Sequence, residues 1–502
     1  MFAVPRADIK PNTLAYETVP LIKPTGFREY DARWLFPGDV SLLGFQAIGL
    51  GLATVLHDLG VEPRIIVGHD YRSYSMAVKQ AVVTGLMAGG MEVHDIGLAL
   101  SPTAYFAQFA YDCPAVAMVT ASHNENGWTG IKMGAARPLT FGPDEMNRLR
   151  ETVLAGKGVA RKGGGLIVHH DAAERYCADL AAGKKLKRKI RAVVATGNGT
   201  AGAFAPRVLS AIGVDVVPLH TELDHSFPHH NPNPEDMEML HAVADAVKSG
   251  KADLGLCFDG DGDRCGVVDD LGHEIFADKM GLLIARDLAP LHPNAKFVVD
   301  VKSTGLFATD PVLAAHGATT DYWKTGHSYI KRRCHELKAL AGFEKSGHYF
   351  FNPPIGRGYD DGIVSAIAVL EMLDRAGRKL SELVRELPVS FGSPTMSPFC
   401  PDERKYQVVA DVTSRFTAMH AKGDNFAGQK ITSLVTVNGV RVSVADGTWG
   451  LVRASSNKPG LVVVCESTVS DARMRAMFAA IENLLATYPE IGAWDQKLPP
   501  PL

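Results

Sequence analysis

One serine, Ser122, follows the apolar stretch Ala115 to Val119 and opens a turn of small and polar residues, Thr120-Ala121-Ser122-His123-Asn124-Glu125-Asn126-Gly127. A strand that ends in such a turn fixes the place of one hydroxyl, which can then carry a phosphoryl group. Two further runs share the strand-then-loop context and carry complementary chemistry. In Phe258-Asp259-Gly260-Asp261-Gly262-Asp263-Arg264, after the apolar run Leu254 to Phe258, carboxylates spaced two apart and separated only by Gly can fold around one hard cation. Mg²⁺ is the natural guest, because it takes a few carboxylates and leaves positions for water and phosphate oxygen. Asp-x-Asp-x-Asp also opens a calcium EF-hand, but here Arg264 replaces the Gly of the sixth position and Asp270 the Glu of the twelfth. In Phe343-Glu344-Lys345-Ser346-Gly347-His348 a carboxylate and a hydroxyl in a Gly-flanked turn suit vicinal sugar hydroxyls. Arg453-Ala454-Ser455-Ser456-Asn457-Lys458, stopped by Pro459 and Gly460, reads as a phosphate cradle: a guanidinium fork, hydroxyls and turn amides.

The elements that must position these loops repeat. A strand, a small-residue turn, a helix, a Gly and a second strand run from Arg64 to Val93, from Ala192 to Val217 and from Phe297 to Thr320. Each module then adds a strand that leads into one chemical loop. Ligands in open α/β sheets bind beyond the carboxyl ends of strands, so three such modules around a common cleft bring three loops to one ligand. After about Gly392 the pattern changes to alternating strands, Val440 to Val444 and Leu461 to Val464, around the Arg453 loop. The expected fold is α/β, three related α/β domains plus a C-terminal α+β domain around a central cleft. The expected boundaries are 1–165, 166–280, 281–391 and 392–502.

Together with Phe27-Arg28-Glu29-Tyr30-Asp31-Ala32-Arg33 and Lys324-Thr325-Gly326-His327-Ser328, these runs resemble the alpha-D-phosphohexomutase family, the phosphoglucomutases and phosphomannomutases, in order and spacing over most of the chain. The resemblance implies a heart-shaped molecule and a phosphoserine enzyme that interconverts hexose 6-phosphate and hexose 1-phosphate through a hexose 1,6-bisphosphate. It implies one Mg²⁺ held by Asp259, Asp261, Asp263 and a phosphate oxygen on Ser122, with Arg264 facing the sugar phosphate. His123, Lys132 and Arg33 are implied around the phosphoserine, with Lys132 and His327 both candidates for proton transfer. Substrate contacts are implied for Tyr30, Arg33, Lys302, Thr325, Gly326 and His327. The sugar loop adds Glu344, Ser346 and His348, and the phosphate loop adds Arg453, Ser455, Ser456 and Asn457. Phe343 stands where Gly is common in the family, Lys345 where Met often sits and Asn457 where Thr does. The expected substrates are mannose and glucose phosphates, with phosphoglucosamine or N-acetylglucosamine phosphate as the alternative.

Length and composition agree with a multidomain enzyme. The chain has 502 residues, 46% hydrophobic and 21% charged, and its 52 basic against 55 acidic side chains leave a net charge of −3. That balance implies no polyanion or membrane partner. The one basic run, Lys184 to Arg191, has no aromatics for base stacking, so no nucleic-acid partner is expected. Seven cysteines without framework spacing, and no apolar core between Met1 and Leu14, suggest reduced thiols in a cytoplasmic protein; a monomer or homodimer is expected. Gly197-Asn198-Gly199-Thr200-Ala201-Gly202 fits the dinucleotide-binding pattern, with Glu222 and Asp224 downstream, and supports a distant alternative, a dinucleotide-dependent oxidoreductase. His225, His229 and His230 lack the partners of a zinc site, and Asn233 reads as the cap of a helix starting at Pro234.

Overall fold

The computed structural model describes residues 8–10, 13–14, 21–163, 165–456, 458–498 and 500. The first sheet orders its strands Ala32–Leu35, Trp128–Gly134, Ala115–Val119, Arg64–His69, Glu92–Leu98 and Ile167–His169. Its interior strands are apolar on both faces because helices cover both, as the burial of every residue of Ala115–Val119 shows. On one side Leu42–Asp58 crosses Ser75–Ala88 at two glycines: a Cβ on Gly85 would lie 2.0 Å from the Gln46 carbonyl, and one on Gly49 2.2 Å from that of Val82. On the other side Ser101–Ala110 packs against Ala172–Ala181.

The second sheet repeats the plan with Leu254–Phe258, Arg191–Ala195 and Asp215–Leu219 in parallel, and the third with Ala341–Phe343, Lys296–Asp300 and Thr319–Trp323. In all three the strand before the chemical loop turns back on itself. Val119 pairs with Ile131, Phe258 with Cys265 and Phe343 with Tyr349, so each chemical loop is the tip of an antiparallel return. One apolar core runs through all three units, from Ile66 and Phe106 through Tyr176 and Leu256 to Phe297 and Phe343. The fourth unit is an antiparallel sheet from Phe391–Gly392 to Leu461–Ser467, backed by the helices Asp402–Lys422 and Asp471–Leu485, with its own core around Val412, Val463 and Ile481. This is the expected fold: three α/β domains and a C-terminal α+β domain.

Local boundaries differ from the sequence reading. The strand Ile167–His169 pairs with Glu92–Leu98 and carries the first sheet past position 165. The helix Ala277–Leu291 is continuous through position 280. Phe391–Gly392 pairs into the fourth sheet. We therefore place the joints after His169, after Ile275 and before Phe391. The helix expected from Pro234 begins at Met237, and its cap is Asp236, which accepts from the Glu238 amide; a carboxylate next to the helix start displaces the more distant Asn233. All seven cysteines are free and buried. Among the described residues no helix is long and apolar enough to cross a membrane.

Candidate active site

Ser122 sits in the left-handed backbone region at φ 53°, which a non-glycine residue adopts only when its surroundings hold it there. The holder is Arg72, whose guanidinium donates to the carbonyls of Ser122 (2.9 Å), Asn124 (2.8 Å) and Glu125 (3.3 Å). Asp70 fixes Arg72 in turn at 3.2 Å and accepts from the Thr120 hydroxyl at 2.8 Å. Arg33 reaches the same turn, donating to the Ala121 carbonyl at 3.2 Å and to the Asn124 side chain. The backbone of the Asp259–Asp263 loop comes so close that a Cβ on Gly260 would lie 2.5 Å from the Ser122 carbonyl oxygen. Glycine is required there by contact between two domains.

The hydroxyl of Ser122 donates to Asp259 Oδ2 at 3.0 Å and lies 3.2 Å from His123 Nδ1. Asp259, Asp261 and Asp263 are completely buried, and each offers an oxygen within 4.8 Å of the others. Lys132 donates to Asp261 at 2.7 Å and also to Asp263, while Ser101 donates to Asp261 at 2.6 Å. Burial alone would lower the Lys132 ammonium, but the two carboxylates hold it well above its usual range. Burial would likewise raise Asp261, and Lys132 holds it below. Asp259 is pushed well up, by burial and then by its two neighbours. One oxygen each of Asp261 and Asp263 is buried without a hydrogen-bond partner. Hard oxygen donors left unpartnered in one dry cluster fit a small divalent cation such as Mg²⁺.

Arg264 continues from this loop toward the Glu344 loop. Its Nε lies 3.8 Å from Asp259 and donates to His348 Nε2 at 2.9 Å. His348 and His327 face each other at 5.6 Å, and Tyr30 packs edge-on against His327 at 4.8 Å. Gly326, at φ 129°, lets that turn pass Tyr30, whose ring would lie 2.8 Å from a Cβ. Both ring nitrogens of His327 are buried without a partner, and burial holds its imidazole well below the usual range. Glu344 Oε2 and the Ser346 hydroxyl are also buried and unpartnered, which leaves them free for a ligand's hydroxyls. Asp300 ties this region together: it accepts from Thr325 at 2.9 Å and from the Lys345 amide at 3.2 Å, and lies 3.9 Å from Lys302.

The Arg453 loop lies in the fourth domain. Arg453 donates to its neighbour's carbonyl at 2.9 Å and keeps Nε buried and unpartnered. Ser455 accepts from the Lys458 amide at 3.3 Å, and Ser456 is half-buried in the same turn. Asn457 lies outside the described residues. Lys405, from the helix Asp402–Lys422, staples the turn through the carbonyls of Ser455 (2.6 Å) and Lys458 (3.3 Å). The structure thus joins the Ser122, Asp259, His327 and Glu344 regions in one contiguous site and holds the Arg453 turn on a separate body.

Comparison with known proteins settles the lineage. Residues 24–158, 174–272 and 276–391 match alpha/beta/alpha domains I, II and III of phosphoglucomutase/phosphomannomutase. The chain belongs to that family. A phosphomannomutase/phosphoglucomutase of Pseudomonas syringae pv. tomato is 34% identical over 89% of this chain and 92% of its own length. A phosphoglucomutase of Neisseria gonorrhoeae is 33% identical over 91% of this chain and 96% of its own. The crystal structure of a phosphoglucomutase/phosphomannomutase family protein from Burkholderia thailandensis superposes with a TM-score of 0.84 at 29% identity, covering 95% of this chain and 100% of that one. Membership makes this an enzyme of the phosphohexomutase type, acting by phosphoryl transfer on a hexose phosphate.

The features that pointed elsewhere have structural work in this family member. The Gly197 turn packs on the Asp259 loop: Thr200 N donates to the Gly260 carbonyl at 3.2 Å, and a Cβ on Gly199 would meet Gly260 Cα at 3.1 Å. His229 stacks on His220 at 3.8 Å and His230 lies 3.2 Å from the same ring, while Asn231 donates to the His123 carbonyl. That loop props the serine turn. The basic run lies along the helix Gly362–Ala376, where Asp374 accepts from the amides of Lys187 and Arg188. Sequence reasoning missed Arg72, Asp70, Asp300, Lys405, Lys331 and Asp360. Apart from Asp70, just past the end of one strand, and Asp300, the last residue of another, none had a local signal.

Proposed function

We propose that the protein is a Mg²⁺-dependent phosphohexomutase that interconverts the 6-phosphates and 1-phosphates of mannose and glucose through phospho-Ser122 and a hexose 1,6-bisphosphate. The observation that carries this reading is the Ser122 hydroxyl, 3.0 Å from Asp259 Oδ2 at the edge of the buried carboxylate cluster. The names of the Pseudomonas and Neisseria relatives support glucose and mannose as the sugars.

In the first half-reaction the bond between phosphorus and Ser122 Oγ breaks and one to the free sugar hydroxyl forms, as that hydroxyl loses its proton. Ser122 Oγ takes up a proton as it leaves. The bisphosphate then turns round. In the second half-reaction Ser122 Oγ–H gives up that proton and bonds to the other phosphorus, while that phosphorus loses its bond to the sugar oxygen, which is protonated. A bound Mg²⁺, held by Asp259, Asp261 and Asp263, would supply charge neutralisation and orientation to the phosphoryl oxygens. Arg264 and Lys132 add fixed positive charge. Lys132 commits two of its three N–H groups to Asp261 and Asp263, which hold it as a cation, whereas His327 keeps both ring nitrogens unpartnered, so we assign proton transfer to His327. Glu344 and Ser346 orient the ring, and the Arg453 turn holds the phosphate that is not reacting.

The test is a coupled assay in both directions on the phosphates of glucose, mannose, glucosamine and N-acetylglucosamine. Glucose and mannose phosphates are expected to turn over best. Turnover confined to the amino sugars would overturn the substrate assignment, and no interconversion of any of them would overturn the reading itself.

A further inference from the structure

Asp360 and Lys331 belong to none of the motifs, yet both are completely buried in the floor of the cleft, with Lys331 Nζ 2.8 Å from Asp360 Oδ1. Burying two charges carries a penalty of several kcal/mol per ion, and a well-packed apolar pair of the same volume is often as stable or more so. Stability alone does not account for an ion pair here. The other oxygen shows what it does: Asp360 Oδ2 lies 3.0 Å from His348 Nδ1 and 3.9 Å from His327 Nδ1, and of the two carboxylates that face His348 Nδ1 it is the nearer, Asp263 Oδ1 standing 3.6 Å away. Across the same imidazole, His348 Nε2 accepts from Arg264 Nε at 2.9 Å.

An arginine Nε–H can only donate, so Nε2 of His348 is the bare nitrogen and the ring proton sits on Nδ1, facing Asp360. The Asp360 carboxylate acts on that Nδ1–H through its charge at 3.0 Å. We propose that Asp360 is a positioning residue: it selects the Nδ1–H tautomer of His348, which leaves Nε2 to hold the Arg264 guanidinium beside Asp259. Lys331 is the counter-charge that keeps the carboxylate ionised in a dry floor. The consequence for turnover rests on the mutase reading above.

The double variant Asp360→Asn/Lys331→Met removes both charges and leaves no lone ion in the core. It is expected to melt within a few degrees of wild type, to lose about 10- to 100-fold in kcat, as losses of such supporting partners do, and to change KM by less than about threefold. Ring-¹⁵N spectra of histidine-labelled protein supply a readout that packing does not move. The His348 signal, identified by its loss in His348→Gln, should show one Nδ1–H tautomer in wild type and a mixture in the double variant. Wild-type kcat in a folded double variant, or an Nε2–H tautomer at His348 in the wild type, would overturn the proposal. A wild type that turns over no hexose phosphate would sink the functional reading alone, because the histidine spectrum still reports on Asp360.

Discussion

At the reacting end of the cleft, Ser122 and the carboxylates of Asp259, Asp261 and Asp263 are pinned by Arg72, Lys132 and Ser101 within domains that share one apolar core. At the anchoring end, the Arg453 turn is carried by a domain with a core of its own. That domain has two very different seams. Toward the third domain, Arg441 is sandwiched between Tyr322 and Trp449, with ring centroids 4.4 and 3.6 Å away, and donates to the carbonyls of Val301 and Ser303. Glu466 there accepts from Thr304 at 2.7 Å and from the Gly305 amide and Trp449 Nε1 at 2.7 and 2.8 Å. Toward the first domain it offers Tyr406, which donates to Glu29 at 2.8 Å; the same carboxylate accepts from Tyr329 of the third domain at 2.9 Å. Tyr406 is 55% exposed. On the proposed reading the contrast is a division of labour: the chemistry would fall to the three domains that share a core, and the phosphate anchor to a domain fastened by many contacts on one side and by a partly exposed hydrogen bond on the other.

The comparison breaks most sharply at Ser122. Ser122→Ala should lose nearly all turnover while still binding hexose phosphate, as read by steady-state kinetics beside calorimetric titration; loss of binding in step with turnover would mean the serine serves the fold. Next comes Asp261→Asn, expected to cut kcat roughly 100-fold or more, to raise the Mg²⁺ concentration needed, and to leave the melting curve nearly in place, since it removes charge where the transition state needs it. Full wild-type activity in chelator would contradict a metal role for the cluster.

Arg453→Ala belongs to the other end and should act on binding. Losing a charge-assisted contact, worth about 1.5–3 kcal/mol, predicts a KM raised about 10- to 100-fold for both the 1-phosphate and the 6-phosphate. An effect confined to one direction would show that the turn is not the shared anchor. The smallest effect is expected at the light seam: Tyr406→Phe and Glu29→Gln should each shift KM by about 2- to 10-fold through a partly exposed hydrogen bond. Their double variant should cost no more than the larger single one, and additive losses would separate the two residues.

Legibility followed the locality of the signal. Asp259, Asp261 and Asp263 stood out because carboxylates spaced two apart within one turn can fold around a cation, and Ser122 because a strand and a turn of small and polar residues frame it. The strands before the loops were legible from their apolar runs. The helix start near Pro234 was displaced because Asp236 supplies a closer carboxylate to the first amides. Arg72 was not legible: its carbonyl partners are about fifty residues away in sequence, and nothing in Asp70-Tyr71-Arg72 distinguishes it from a solvated turn. Asp360 and Lys331 hid for the same reason, since a buried ion pair has no periodicity and its meaning depends on His348, which approaches only in the folded chain.

The most direct test of the central claim is the phosphorylation state of the protein as purified. Intact-mass and peptide mass spectrometry should find a substoichiometric phosphate on Ser122 that is discharged by hexose phosphate and restored by hexose 1,6-bisphosphate. Phosphate on a different residue that turnover requires, with Ser122 unmodified throughout, would contradict the account.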